Sequence, residues 1–123
     1  MFPLRKPSEA YDRVSLDARI AGSDPRQLTT LCLDRAIQSL GLALAADRIA
    51  AVQRRGEALG HCLNALGALI LGIDRAAPLS AVLGDFYEGL RFTISQSLRN
   101  FDVASIETAR ADLRDVANSL RSQ

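Results

Sequence analysis

The chain has 123 residues, the size of one domain, and its 15 basic and 14 acidic side chains nearly cancel. A near-neutral chain lacks the basic excess typical of nucleic-acid binders, so we predict no nucleic-acid partner. The most apolar stretch, residues 59–73, is too short and too polar to span a bilayer, and residues 1–7 hold no apolar run that would indicate a signal peptide.

Residues 1–22 precede the first predicted helix and form a predicted N-terminal arm. The arm contains one apolar cluster, formed by Tyr11, Val14, Leu16 and Ile20. Two interpretations stay open at this stage. The segment is either a frayed tail or an arm that docks on the rest of the molecule.

Residues 23–123 carry four stretches with helical periodicity, predicted at about 25–46, 49–73, 78–100 and 103–121. Asp24 is a good N-cap for the first of these helices, and Pro25 suits its first helical position. In the second, apolar residues recur at alternating spacings of four and three, which is typical of a helix packed along its length. Its start is poorly marked, and we place the turn at Asp47-Arg48. Asp102 is the predicted N-cap of the last helix.

Four helices of about 20 residues with short connections predict an all-α fold, an antiparallel up-and-down four-helix bundle with a short N-terminal arm. The two cysteines, Cys32 and Cys62, lie among apolar residues and form no CxxC motif. We therefore expect buried thiols in a reducing cytosol, with a disulfide as the alternative.

The residues that catalysis or metal binding would need are scarce. The chain has one histidine, no cysteine-histidine pair at metal spacing and no glycine-rich phosphate loop. We predict no enzyme activity, no metal and no cofactor. One alternative is a histidine phosphotransfer domain that uses His61, since such domains are also four-helix bundles. The lysine and glycine that follow their histidine are Asn64 and Ala65 here.

Glycines inside the second helix suggest a binding surface instead. Gly56, Gly60 and Gly67 lie on adjacent helical rows, and each interior glycine costs about 1 kcal/mol against alanine. They indicate either tight helix packing or the floor of a groove for a partner peptide. The first helix is apolar over more than one seam, so the arm or a partner has to cover it.

Several short motifs then suggest a family. The arm contains an Ala-Tyr pair at Tyr11, residues 31–37 read LCLDRAI, Leu83 and Tyr87 stand four apart, and Asp102 opens the last helix. In order and spacing these motifs resemble the flagellar export chaperone FliS family over most of the chain. Two departures stand out: the family tyrosine of the first helix is Leu33 here, and the tryptophan near the end of the last helix is absent.

The resemblance implies a cytoplasmic chaperone of the flagellar type III export system. Such a protein binds the disordered C-terminal segment of flagellin in apolar grooves and prevents premature polymerisation. Export-gate components would be further partners, and the chaperone itself would be a monomer or a weak homodimer. The alternative function is a generic helical adaptor for another protein.

Combining the resemblance with the apolar stripes gives a set of predicted partner-binding residues. Within this set, we expect Leu33→Asp to weaken client binding while it leaves the fold mostly intact. The set comprises Tyr11, Ile20, Leu28, Leu33, Ile37, Gly56, Gly60 and Tyr87.

Overall fold

The computed structural model describes residues 25–122, and four helices make up this part of the chain. They are α1 (Pro25–Arg48), α2 (Val52–Leu71), α3 (Ser80–Ser97) and α4 (Val103–Arg121). Each helix contacts the next one along the chain, and α4 returns to contact α1, so the four helices form a closed ring. This confirms the predicted all-α four-helix bundle. The arm and the Asp24 cap lie outside the described residues.

The turn between α1 and α2 lies later in the chain than the sequence suggests. Ala50 has a φ of 53°, in the left-handed region. The amide of Ala51 donates to the Ala46 carbonyl at 2.9 Å, and the amide of Ala50 donates to the Asp47 carbonyl at 3.0 Å. This is a Schellman motif, in which glycine usually holds the left-handed position. Because alanine stands there instead, the sequence did not mark this turn.

The other two connections are held by short-range polar contacts. Between α2 and α3, the carboxylate of Asp74 accepts a hydrogen bond from the amide of Ala76 at 3.0 Å. Between α3 and α4, Asp102 holds the N-cap position, but its carboxylate accepts from the Ser105 hydroxyl and not from a backbone amide. The last helix begins at Val103, directly after Asp102 as predicted, but the Asp102 side chain caps no backbone amide.

The core consists mainly of leucine and alanine. α1 and α2 share the most extensive contact in the ring, and both bury several alanines, which occupy little volume and let the two helices approach closely. Larger side chains from all four helices fill the centre. The fully buried ones are Leu33, Leu40, Leu59, Leu66, Ile94, Ile106 and Leu113.

α1 also packs closely against α4. The Arg110 side chain reaches across from α4, and its Nε donates to the Ile37 carbonyl at 3.3 Å. Its guanidinium occupies the space where a Cβ on Gly41 would lie only 2.7 Å from Nη2. Farther along, Arg121 and Asp34 pair at 2.7 Å. α3 and α4, in contrast, share the least contact of any neighbouring pair.

One arginine joins three segments at the end of the bundle that carries the α1–α2 turn. Arg55, in the first turns of α2, pairs with Asp47 of α1 at 2.8 Å. The same guanidinium lies over the Phe101 ring at the α3–α4 corner, with Cζ 4.8 Å from the ring centroid. Such a stacked cation contributes about 0.5–2 kcal/mol, depending on its exposure.

The left-handed alanine leads to a stability prediction. Ala50→Gly relieves the steric cost of a Cβ at positive φ, and we expect the free energy of unfolding to rise by about 1 kcal/mol. Urea denaturation followed by circular dichroism measures this change. Ala45→Gly, at an exposed helical position of α1, is the control and should lower stability by a similar amount. Destabilisation by both substitutions would show that the turn is unstrained.

The burial of Leu33 leads to a second prediction. Leu33 is 0% exposed, so Leu33→Ala should lower the free energy of unfolding by about 3 kcal/mol. Leu33→Asp should remove the cooperative melting transition, because an unpaired carboxylate would be buried. Leu42→Ala, at an exposed position of the same helix, should change stability by less than about 0.5 kcal/mol. Wild-type melting of Leu33→Asp would contradict this placement.

Candidate partner-binding surface

Two of the predicted partner-binding residues belong to the core. Leu33 is 0% exposed and Tyr87 is 2% exposed, and both belong to the main cluster of buried side chains. In this structure neither side chain is accessible to a partner. The expectation that Leu33→Asp would spare the fold is therefore corrected. Leu33 lies on a helix that is apolar on several sides, so the sequence pattern fits either the core or a groove. In the structure the Leu33 side chain packs in the core. Tyr11 and Ile20 lie outside the described residues.

The other predicted residues lie nearer the surface, on two different helices. Leu28 and Ile37 of α1 are half-buried and pack against the core. Gly56 and Gly60 of α2 face open space, since a Cβ added to either would meet no atom within 4 Å. Gly67, in contrast, is buried. The glycine strip is therefore open at its N-terminal end, and the predicted set does not converge on one surface.

The titratable groups of the core are held in their neutral forms. Burial raises the pKa of the Cys62 thiol to about 12. Burial also raises the pKa of Cys32 to about 11, against a lowering effect of Arg35. Burial, with a smaller contribution from Cys32, raises the pKa of Tyr87 to about 12. Both cysteines are free and buried, as predicted, and neutral buried thiols are poor nucleophiles.

The residues considered for catalysis form no site in residues 25–122. His61 is exposed on α2. No group of three or more histidine, cysteine, aspartate or glutamate side chains in this part of the chain is arranged to hold a metal ion. What the described helices offer is shape and apolar surface.

A shallow cleft of about 330 Å³ lies between α3 and α4, where the helices share little contact. Most of its walls are small or short side chains, which leave room between the two backbones. Asp112 places a carboxylate on its rim. We call this cleft the α3–α4 groove; it is lined by Leu90, Thr93, Ala104, Ser105, Thr108, Ala109 and Asp112.

An apolar stripe on α3 leads into this groove. Val82, Phe86, Gly89 and Thr93 follow one another at spacings of four and three, so they lie on one side of α3, and Thr93 already lines the groove. Val82 is 64% exposed, and so is Leu79 just before the helix. Phe86 is half-buried, and its ring lies 5.6 Å from that of Tyr87. The stripe is therefore apolar surface that no described residue covers fully.

The sequence carried a signal for this stripe. In the sequence, Leu83, Tyr87, Leu90 and Ile94 recur at spacings of four, three and four along one face of this helix, and Val82 lies off that face. An apolar residue off the core face of an amphipathic helix is a candidate for contact with another molecule. The opening between α3 and α4 could not be found this way, because it depends on how closely two helices pack.

The family model described as flagellar protein FliS matches residues 7–122. Curated proteins give no match to the chain. Within residues 25–122, no helix is both long enough and apolar enough to cross a membrane.

The open glycines give a stability prediction. Gly60→Ala should raise the free energy of unfolding by about 1 kcal/mol, because alanine favours the helix and the added methyl group meets nothing within 4 Å. Urea denaturation measures the change. Gly41→Ala is the matched control: its methyl group would displace the Arg110 guanidinium, so its gain should be smaller. An equal or smaller gain for Gly60→Ala would contradict an open surface at this position.

Proposed function

Since the chain belongs to the FliS family of flagellar chaperones, we propose that it serves flagellar type III export in the cytoplasm. Its client is the disordered C-terminal segment of flagellin, which it covers so that flagellin does not polymerise before export. The observation that carries this proposal is the family match over residues 7–122, together with an open groove on the side of the bundle.

The α3–α4 groove fits an amphipathic segment. Small side chains on α4, such as Ala104 and Ser105, let a second backbone come close, while Leu79, Val82 and Phe86 offer apolar contacts along α3. An amphipathic helix lays its apolar residues into such a groove at helical spacing. The Asp112 carboxylate on the rim is available to a polar or basic residue of the client.

The thermodynamics of this binding follow from the disorder of the client. The segment loses conformational freedom when it orders, and apolar burial in the groove has to offset that cost. Binding of this kind shows a negative change in heat capacity, because apolar surface leaves water. Release would then require export-gate components that compete for the client or the chaperone.

The open part of α2 offers a secondary contact strip. Gly56 and Gly60 expose backbone on the outer side of α2, and a client that follows more than one groove could approach them closely. Of the residues predicted from the sequence, these glycines, with Leu28 and Ile37 on α1, remain proposed client contacts. Leu33 and Tyr87 instead support the surface from within the core.

Titration calorimetry with the C-terminal segment of flagellin from the same organism tests the proposal. We expect saturable one-to-one binding with a clearly negative heat-capacity change. Val82→Asp should weaken binding by about tenfold or more, equivalent to 1.4 kcal/mol, because it places a charge on the apolar stripe. Thr108→Trp should weaken binding similarly, because the indole would fill the groove.

Leu42→Asp provides the matched control. Leu42 is 56% exposed on α1 and does not line the groove, so its replacement should leave both affinity and melting unchanged. Unchanged affinity in both Val82→Asp and Thr108→Trp would mean that the client does not use the α3–α4 groove. Absence of binding to the unmodified protein at tens of micromolar would refute flagellin as the client.

A further inference from the structure

The end of the bundle that carries the α1–α2 turn exposes large apolar side chains. Ile49 is 67% exposed, Val52 is 61% exposed and Leu98 is 47% exposed. We call these three residues the end patch. Val103, at the start of α4, borders it, and Leu42 lies two helical turns before Ile49 on the same face of α1. Apolar side chains from all four helices thus gather near one end.

The contacts of one arginine hold the two parts of the end patch at the same end of the bundle. Ile49 and Val52 line a common depression with Arg54 and Glu57. The stacking of Arg55 on Phe101 then brings the first turns of α2 next to the corner that contains Leu98. Because the ion pair to Asp47 fixes the same arginine, little conformational freedom remains to be lost when a partner binds.

The charges around the end patch favour an acidic partner. Arg48, Arg54 and Arg99 are exposed and form no ion pair within residues 25–122. Two exposed carboxylates are nearby, Glu57 and Asp102, and Asp102 already accepts a hydrogen bond from Ser105. Asp47 is neutralised by its pairing with Arg55. Among the described residues, three unpaired arginines at this end thus stand against two carboxylates, which leaves a small excess of positive charge.

We propose that the end patch binds a short helical segment of a second protein, with apolar residues on one face and aspartate or glutamate beside them. The patch is too small for a stable dimer: a standard interface uses about 20–30 residues on each side, against a handful of apolar side chains here. Anionic lipid fits less well, since the few arginines attract a membrane only weakly and two carboxylates oppose the attraction. A peptide can place its acidic residues beside the arginines and avoid Glu57 and Asp102.

The end patch lies apart from the start of the α3 stripe, although the α3–α4 groove extends along α4 as far as Ala104, next to Val103. Leu79 and Val82, where the α3 stripe begins, lie at the opposite end of the bundle, and the end patch is centred on the α1–α2 turn. A chaperone with both surfaces can hold its client on one side while a second protein binds at the end. The inference does not rest on the identity of the client.

Two synthetic helical peptides test this assignment by NMR with the full, isotope-labelled chain. The first carries leucines at positions i, i+3, i+4 and i+7, glutamates beside them and alanines elsewhere; the second has lysine in place of every glutamate. We expect the acidic peptide to shift the amide signals of residues 48–55 and 98–103, and to bind about tenfold tighter than the basic one. Ile49→Asp should weaken this binding about tenfold, and the double variant Arg54→Glu with Arg99→Glu should reverse the preference between the peptides.

Leu71→Asp is the matched control, because Leu71 is 64% exposed at the opposite end. It should leave the affinity unchanged. Equal binding of both peptides, shifts confined to the α3 stripe, or unchanged binding by Ile49→Asp would overturn the proposal. If neither peptide binds, two further results would also overturn the proposal. One is sedimentation with phosphatidylserine vesicles that Ile49→Asp abolishes, and the other is dimerisation in light scattering that Ile49→Asp abolishes.

Discussion

The close packing of α1 against α2 is the interaction on which the rest of this bundle depends. Alanines buried on both helices bring their backbones together. The opposite flank of α1 packs less extensively on α4, where Arg110 passes over Gly41 to reach the Ile37 carbonyl. α3 is then left with α2 as its main support. The contact between α3 and α4 is the smallest of the four in the ring, and the α3–α4 groove lies there.

The apolar surface follows from the same arrangement. Residues such as Val82 would be covered if α4 approached α3 as closely as it approaches α1, and they stay exposed because α4 does not. The exposed side chains at the α1–α2 turn have another origin. There the chain reverses within a few residues, and Arg55 fixes the reversal to the α3–α4 corner. The two surfaces are thus set by different contacts, and a sequence change can alter one without the other.

Much of the fold could be predicted from the sequence, because apolar spacing of three and four residues is a local property of a helix. The α1–α2 turn was placed early because its left-handed residue is Ala50, and alanine carries no turn signal. Leu33 and Tyr87 were assigned to a binding surface because periodicity and a family motif describe residue type and not depth. Whether an apolar side chain faces the core or a groove depends on the distance between helices, and that distance is a property of the whole bundle.

α3 is also the part of the bundle that can detach most readily. It is anchored mainly along one flank, and Gly84 and Gly89 lower its intrinsic helix stability by about 1 kcal/mol each relative to alanine. A helix with few supporting contacts can unfold locally, and this costs less free energy than unfolding of the whole domain. The amide hydrogens of such a helix therefore exchange with solvent first. α3, one wall of the groove, is therefore the helix with the least support among the four described helices. Thermal motion of α3 alone can change the width of the groove while α1, α2 and α4 stay folded.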